Sequence, residues 1–262
     1  MLKDITLGQY FPGNSLIHRL DPRVKVVLTF AFVVVLFLAS GWLGYVLITV
    51  WIVLAIALSR LPVKLIVRGF RPLVLIIALT GVLNIFYTPG DPIWQFYFLK
   101  ISAEGLINAG MLIWRFILLL TGTFLLTYTT SPILLTDALE RLFAPLKKLK
   151  LPVHELTMMM TLAMRMIPTL IEETDKIMSA QRARGADFES GNLLRRAKAL
   201  IPLLVPLFVS AIRRADELAV AMECRCYHGG EGRTRMRLLR LHWYDGTTAL
   251  AFAMLTAAVL IW

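Results

Sequence analysis

VKVVLTFAFVVVLFLASGWLGYVLITVWIVLAIALS, residues 24–59, contains a single charged side chain, Lys25 near its start. Gly41 splits it into two apolar runs, 24–40 and 42–59, each about long enough to cross a bilayer core of roughly 30 Å. The stretch predicts a helical hairpin in a membrane. The whole chain fits that setting: of 262 residues 58% are hydrophobic and only 17% charged, with mean hydropathy +0.70, too apolar for an ordinary soluble domain. Its net charge is nevertheless +11. Apolar runs with a basic balance point to an inner-membrane protein whose Lys and Arg face the cytoplasm. They set aside nucleic-acid binding, which needs a basic soluble face. Lys3, Asp4, Gly13, Asn14 and Asp21 ahead of the first apolar run give the wrong shape for a cleaved secretory signal.

Downstream, a basic link over 60–71 leads to a third span at about 72–88, with Pro72 in its first turn. Residues 89–104, rich in Pro and aromatics, have the composition of a loop at a membrane interface. A fourth span, about 105–130, is interrupted by Arg115, which either faces a protein neighbour or snorkels outward. From Ser131 to Tyr244 no window stays uncharged long enough to span, and this stretch holds 18 of the 28 Lys and Arg residues. A fifth span at 246–262 follows Trp243 and Tyr244. The prediction is an all-α membrane protein of about five transmembrane helices with a module of about three cytoplasmic helices: 1–130 transmembrane, 131–244 helical and aqueous, 245–262 transmembrane. The positive-inside rule places the N-terminus and the module in the cytoplasm and the C-terminus outside.

Three helices are expected within the module. The first, about 132–149, is bent or ended by Pro145; the second runs over 153–185 with a kink at Pro168; the third runs over 190–228 and contains Pro202 and Pro206. The last two end alike. QRARGADF closes at Gly185 and MECRCYHGG at Gly229-Gly230, so Arg184 and Arg225 each fall in a last turn, where a helix favours a cation. With Arg184 laid on Arg225, Ala180 falls on Ala221, Ile177 on Leu218 and Asp175 on Asp216, a weak internal repeat. Either arginine alone reads as an ordinary solvated helix end. As a pair they suggest two like-built partners, because one surface repeated twice meets one fold present twice.

No constellation for catalysis emerges. Cys224, Cys226 and His228 suggest metal ligands at first sight, but positions two apart diverge on a helix and no second ligand group stands at zinc-like spacing. Cys224 and Cys226, one residue apart, also make an awkward disulfide pair and suit a reducing compartment. GGEGRTR at 229–235 lacks the phosphate-loop spacing. Neither a catalytic, a metal nor a cofactor site is therefore expected in this chain. Two rivals stay open: a membrane-embedded enzyme using the Cys/His group at 224–228, and a self-sufficient channel or carrier. Met158, Met159, Met160, Met164, Met166 and Met178 cluster in the second module helix, and Met either fills core gaps or adapts a surface to several partners.

YFPGNSLIHRLDPRVK near the N-terminus, the triplet Ala183-Arg184-Gly185 and the segment AMECRCYHGGEGRTR together resemble, over essentially the whole chain, the transmembrane T component of energy-coupling factor (ECF) transporters. These are prokaryotic micronutrient importers related to ABC transporters. The family carries two X-Arg-X signatures, often Ala-Arg-Gly; the first is matched here, and at the second Cys224-Arg225-Cys226 keeps the arginine but not its neighbours. The resemblance implies a non-catalytic subunit in the cell membrane that joins a substrate-binding S component to two cytoplasmic ABC-type ATPase subunits. The ATPases, and not this chain, would use ATP and Mg. It assigns Arg184 to one ATPase and Arg225 to the other, and its variant with exchangeable S components suits the methionine stretch as a contact.

Overall fold

The computed structural model describes residues 10–88, 92–96, 99–149, 152–186, 188, 192–229 and 239–261. It divides into two compact units: Leu139–Leu238, and Gly8–Ala138 together with Leu239–Trp262.

The larger unit is the apolar one. Ser15 caps the short α1 (Leu16–Arg19), and Asp21 caps α2 (Pro22–Leu38), whose Pro22 occupies the first turn where a missing N–H costs nothing. Then come α3 (Gly41–Ser59), α4 (Val63–Phe70), α5 (Val74–Tyr87), α6 (Ala103–Thr129) and α10 (Trp243–Ile261). Phe32, Val35 and Leu36 of α2, Tyr45, Ile48 and Ile52 of α3, Leu118 of α6, and Phe252 and Val259 of α10 form one buried cluster. Gly122 lets α6 approach it closely. A Cβ there would come within 2.5 Å of the Phe32 ring. A second cluster, Leu61, Ile66 and Tyr128, fixes α4 against α6.

Among the described residues three helices, α3, α6 and α10, are long and apolar enough to cross a membrane, and the pair α4–α5, bent by 61° at its break, raises the count to four. The expectation was five. The chain is a multi-pass membrane protein, but α2 has only 17 residues because Asp21-Pro22 and Ala39 bracket it, about 26 Å at helical rise. The bend falls where Pro72 removes a backbone donor, and it turns the supposed basic link into helix α4. A second difference concerns 89–104. Instead of a loop, Pro92–Phe96 (β1) and Leu99–Ser102 (β2) pair antiparallel, so the otherwise helical fold includes one hairpin.

A buried polar knot closes this unit. Asp245 in the first turn of α10, 2% exposed, accepts the Asp21 backbone N–H at 2.8 Å and that of His242 at 2.7 Å. Asp21 is in turn held by Arg23 at 2.7 and 3.0 Å. Lys25, also buried, donates from Nζ to the carbonyls of Thr129 at 3.0 Å and His18 at 3.2 Å, and lies 3.4 Å from the Thr130 hydroxyl. The starts of α2 and α10 and the end of α6 are thereby tied at one level, so these ends lie on the same side of the membrane. Sequence reading singled out DPRVK but not Asp245, whose only signal was a carboxylate between an interfacial Trp-Tyr pair and an apolar run.

The second unit contains the end of α7 (Pro132–Leu142), a 3₁₀ segment (Ala144–Leu149), α8 (Val153–Ala183) and α9 (Leu193–Glu223). The first module helix was expected to reach 149. It stops at Leu142, and Pro145 lies in the tighter 3₁₀ turn that follows. His154 Nδ1 meets Glu140 Oε1 at 3.0 Å and anchors the start of α8. Both long helices continue through their prolines, Pro168 in α8 and Pro202 and Pro206 in α9. They run antiparallel, as Arg214–Glu173 at 3.3 Å and Gln181 Nε2 to Pro202 O at 3.5 Å require. That Pro202 carbonyl is available because its usual acceptor duty lies with residue 206, another proline without an N–H.

Candidate functional site

The two arginine-bearing ends share a backbone motif. At the end of α8, Ala186 N donates to Gln181 O at 3.0 Å and Gly185 N to Arg182 O at 2.9 Å. At the end of α9, Tyr227 N donates to Met222 O at 3.0 Å and Cys226 N to Glu223 O at 2.8 Å. Each is a Schellman motif, in which the residue after the cap turns left-handed and the two following N–H groups satisfy carbonyls of the last turn. Arg184 and Arg225 occupy the same cap position. Gly185 at φ +89 and Cys226 at φ +56 occupy the same left-handed position.

This corrects the expected end of the third module helix. Gly229 and Gly230 do not close it: α9 stops at Glu223 and Cys226 makes the reversal, three residues before the first glycine of that pair. A side chain in that conformation costs about 1 kcal/mol, which the two carbonyl bonds offset. Sequence alignment of the two arginines found the right positions, although the glycine pair offered a misleading stop signal.

Ala183, Arg184 and Gly185 are exposed, as are Cys224, Arg225 and Cys226, so both caps present an arginine between two small neighbours. Ile177 and Leu218, seven residues back, are half-buried, while Ala180 and Ala221, four back, are exposed. The antiparallel pairing also separates the two ends. Gln181 lies beside Pro202, and from Pro202 to Arg225 along α9 is on the order of 30 Å at helical rise.

Of the methionines, Met159 and Met160 are exposed, whereas Met158, Met164 and Met166 are half-buried. A broader apolar face was missed: Leu200, Leu204, Phe208 and Ile212, four apart along α9, with Ile201 and Val205 beside them, are all exposed, Phe208 at 67%. Its signal was present as an i, i+4 stripe, but the two prolines drew attention to kinks instead.

Among the described residues no three His, Cys, Asp or Glu side chains converge as a metal site requires. Cys224 and Cys226 are free thiols, exposed with His228 at the end of α9. GGEGRTR lies outside the described residues except for Gly229. Arg115 turns to protein: its guanidinium donates to the Tyr45 hydroxyl, from Nε at 2.7 Å and also from a terminal nitrogen, and lies 5.5 and 5.7 Å from the Tyr45 and Phe37 ring centres. Phe37 is next to the last residue of α2 and Tyr45 is in the second turn of α3. The arginine therefore sits near the level of the α2–α3 hairpin turn, where a charge costs less than at mid-bilayer.

A model of the CbiQ family, described as cobalt transport protein, matches residues 13–236. A protein of Ruminiclostridium cellulolyticum is 51% identical over 262 residues, covering 100% of this chain and 98% of its own length. One of Thermosediminibacter oceani is 54% identical over 254 residues, 97% of this chain and 96% of the relative, and one of Bacillus subtilis 48% identical over 262 residues, 100% and 98%. All three are named energy-coupling factor transporter transmembrane protein EcfT. With a family model over most of its length and full-length relatives at about half identity, the chain belongs to the family of energy-coupling factor transporter transmembrane components.

Proposed function

We propose that this chain is the coupling subunit of its transporter: it carries movement from two cytoplasmic ATPase subunits to a membrane-embedded S component that captures a vitamin or other micronutrient. The observation that carries the reading is the pair of exposed helix ends closed by the same motif, Arg184 on α8 and Arg225 on α9. Two like-folded ATPases would each receive one end, with the arginine entering a groove that its small neighbours leave unobstructed. A separation on the order of 30 Å gives each ATPase its own end. ATP and Mg belong to those subunits, and this chain is not itself catalytic.

Closure of the ATPase pair would shift the two ends relative to each other, and the antiparallel α8–α9 pair, clamped by Arg214–Glu173, would transmit the displacement. The S component would rest on the apolar stripe of α9 and on the methionine stretch of α8, where an adaptable surface suits exchangeable partners. The chain lies in a prokaryotic cell membrane, with the N-terminus and the 139–238 unit cytoplasmic and the C-terminus outside, as the basic balance favours.

The test is the double variant Arg184→Ala, Arg225→Ala, expressed with the other subunits. Truncating one side of a buried charged contact costs about 2–5 kcal/mol, so membrane insertion stays normal while ATPase co-purification and uptake fall sharply. Normal uptake with normal co-purification rules the reading out.

A further inference from the structure

In the membrane unit, a groove of about 570 Å³ opens between α2, α3, α6 and α10, within the roughly 300–1,000 Å³ typical of ligand sites. Its walls are apolar, with Leu28, Trp51, Ala55 and Leu126 among them. Its mouth is not: Arg19 and Trp243 line it there. Trp243 is 80% exposed and, with Tyr244 beside it, has the character of an interfacial anchor. Arg19 is exposed and makes no ion pair among the described residues, whereas the Lys25 ammonium is occupied by the Thr129 and His18 carbonyls. Among the described residues, Arg19 is thus the free cation at the mouth of this apolar slot.

The depth is informative. Along α10 the lining runs from Tyr244 at the mouth to Phe252 at the bottom, about 12 Å at helical rise. One leaflet contributes about 15 Å of hydrocarbon, half of a core of roughly 30 Å. An apolar slot of that depth, with aromatics and a cation at its rim, matches a lipid tail with an anionic headgroup in both shape and charge. We propose that the groove holds one acyl chain of an anionic phospholipid from the leaflet on the N-terminal side, with the phosphate at Arg19. The acyl chain would brace the helix ends of α2, α6 and α10 gathered by the Asp21–Asp245 knot against α3 and fill a gap the side chains leave open.

The test uses the full-length chain in nanodiscs of equimolar phosphatidylglycerol and phosphatidylcholine, followed by native mass spectrometry of the lipids it retains. One phosphatidylglycerol is expected to remain, with a preference of about five-fold or more, each ten-fold corresponding to 1.4 kcal/mol. Arg19→Gln should reduce that preference to less than two-fold. Ala55→Trp, which fills the slot, should abolish retention of either lipid. Arg68→Gln, an exposed arginine outside the groove, should change nothing. Equal retention of both lipids by the wild type, or an equal effect of Arg68→Gln and Arg19→Gln, overturns the proposal. So does cross-linking of Ala55→Cys, in the assembled transporter, to a partner polypeptide instead of a lipid chain. Where Ala55→Trp does not fold, the thermal midpoint of the wild type titrated with phosphatidylglycerol replaces it; a rise absent with phosphatidylcholine supports the site and an identical response to both lipids overturns it.

Discussion

The two units of this protein bury their side chains in opposite ways. The membrane unit encloses a contiguous apolar cluster from four helices and, at one level, a saturated polar knot of Asp21, Arg23, Lys25 and Asp245. In the 139–238 unit, along two helices of 31 residues each, the buried side chains among the described ones are Val153, Thr157 and Leu203, while a stripe of α9 stands open. On the proposed function, helices of that length that bury so little gain stability from the partner subunits they meet. The contrast teaches that one unit is built to hold its shape and the other to be held.

The sharpest way to break that contrast is at the knot. Asp245→Leu strands the backbone donors of Asp21 and His242 and removes a negative charge near Arg23 and Lys25, a change worth about 3–5 kcal/mol where buried charges lose their partner. The thermal midpoint of the purified chain in detergent should drop by many degrees. The corresponding insult to the other unit, Glu173→Gln at the partly exposed Arg214 pair, should shift it by about 1 kcal/mol or less. Equal losses would mean that both units are self-sufficient.

A finer comparison sets the two caps against each other. Gly185→Ala places a side chain at φ +89 and should destabilise the α8 end by about 1 kcal/mol. Cys226→Gly relieves the same strain at φ +56 and should stabilise the α9 end by about 0.5–1 kcal/mol. Amide exchange at Ala186 and Tyr227, the donors that close each motif, reports both changes, and a pair of same-sign effects would show that the ends are not equivalent.

The smallest expected effect concerns pH. Burial pushes the His18 imidazole below its ordinary pKa, against the Phe11 carbonyl, which favours the charged form, and with Lys25 adding repulsion. Nε2 donates to Phe11 O at 3.0 Å, which leaves Nδ1 to accept from the Ser15 hydroxyl at 2.6 Å, so the neutral ring is satisfied on both sides. Because the folded pKa lies below the unfolded value of 6.5, the unfolded chain binds more protons between the two. Stability should therefore fall as pH drops below about 6.5 and level off beneath the folded pKa. His18→Gln should flatten that slope in a pH series of thermal midpoints; an unchanged slope would assign it to another group.

The pair of like helix ends was legible in the residue order. The two arginines, their small neighbours and the repeat behind them follow from residue identity at fixed spacing, which is all a helix end needs to be recognised. The exact reversal was not legible, since Cys226 takes a conformation that glycine ordinarily marks while Gly229 and Gly230 stood ready nearby as a more plausible stop. Nor was the fate of Arg115, whose partners Tyr45 and Phe37 lie about seventy positions away in the chain.

The residue order by itself determined that this chain lies in a membrane, that a long basic helical region separates its last span from the rest, and that two helix ends carry matched arginines. Those properties depend on local composition and on a period of 3.6 residues. Only the tertiary structure decided which polar groups meet in the knot, where α4 and α5 bend apart, and which apolar face of α9 is left without a neighbour. Each of those depends on groups far apart in sequence, and whether a buried charge or an apolar stripe is satisfied becomes defined only when distant segments share one space.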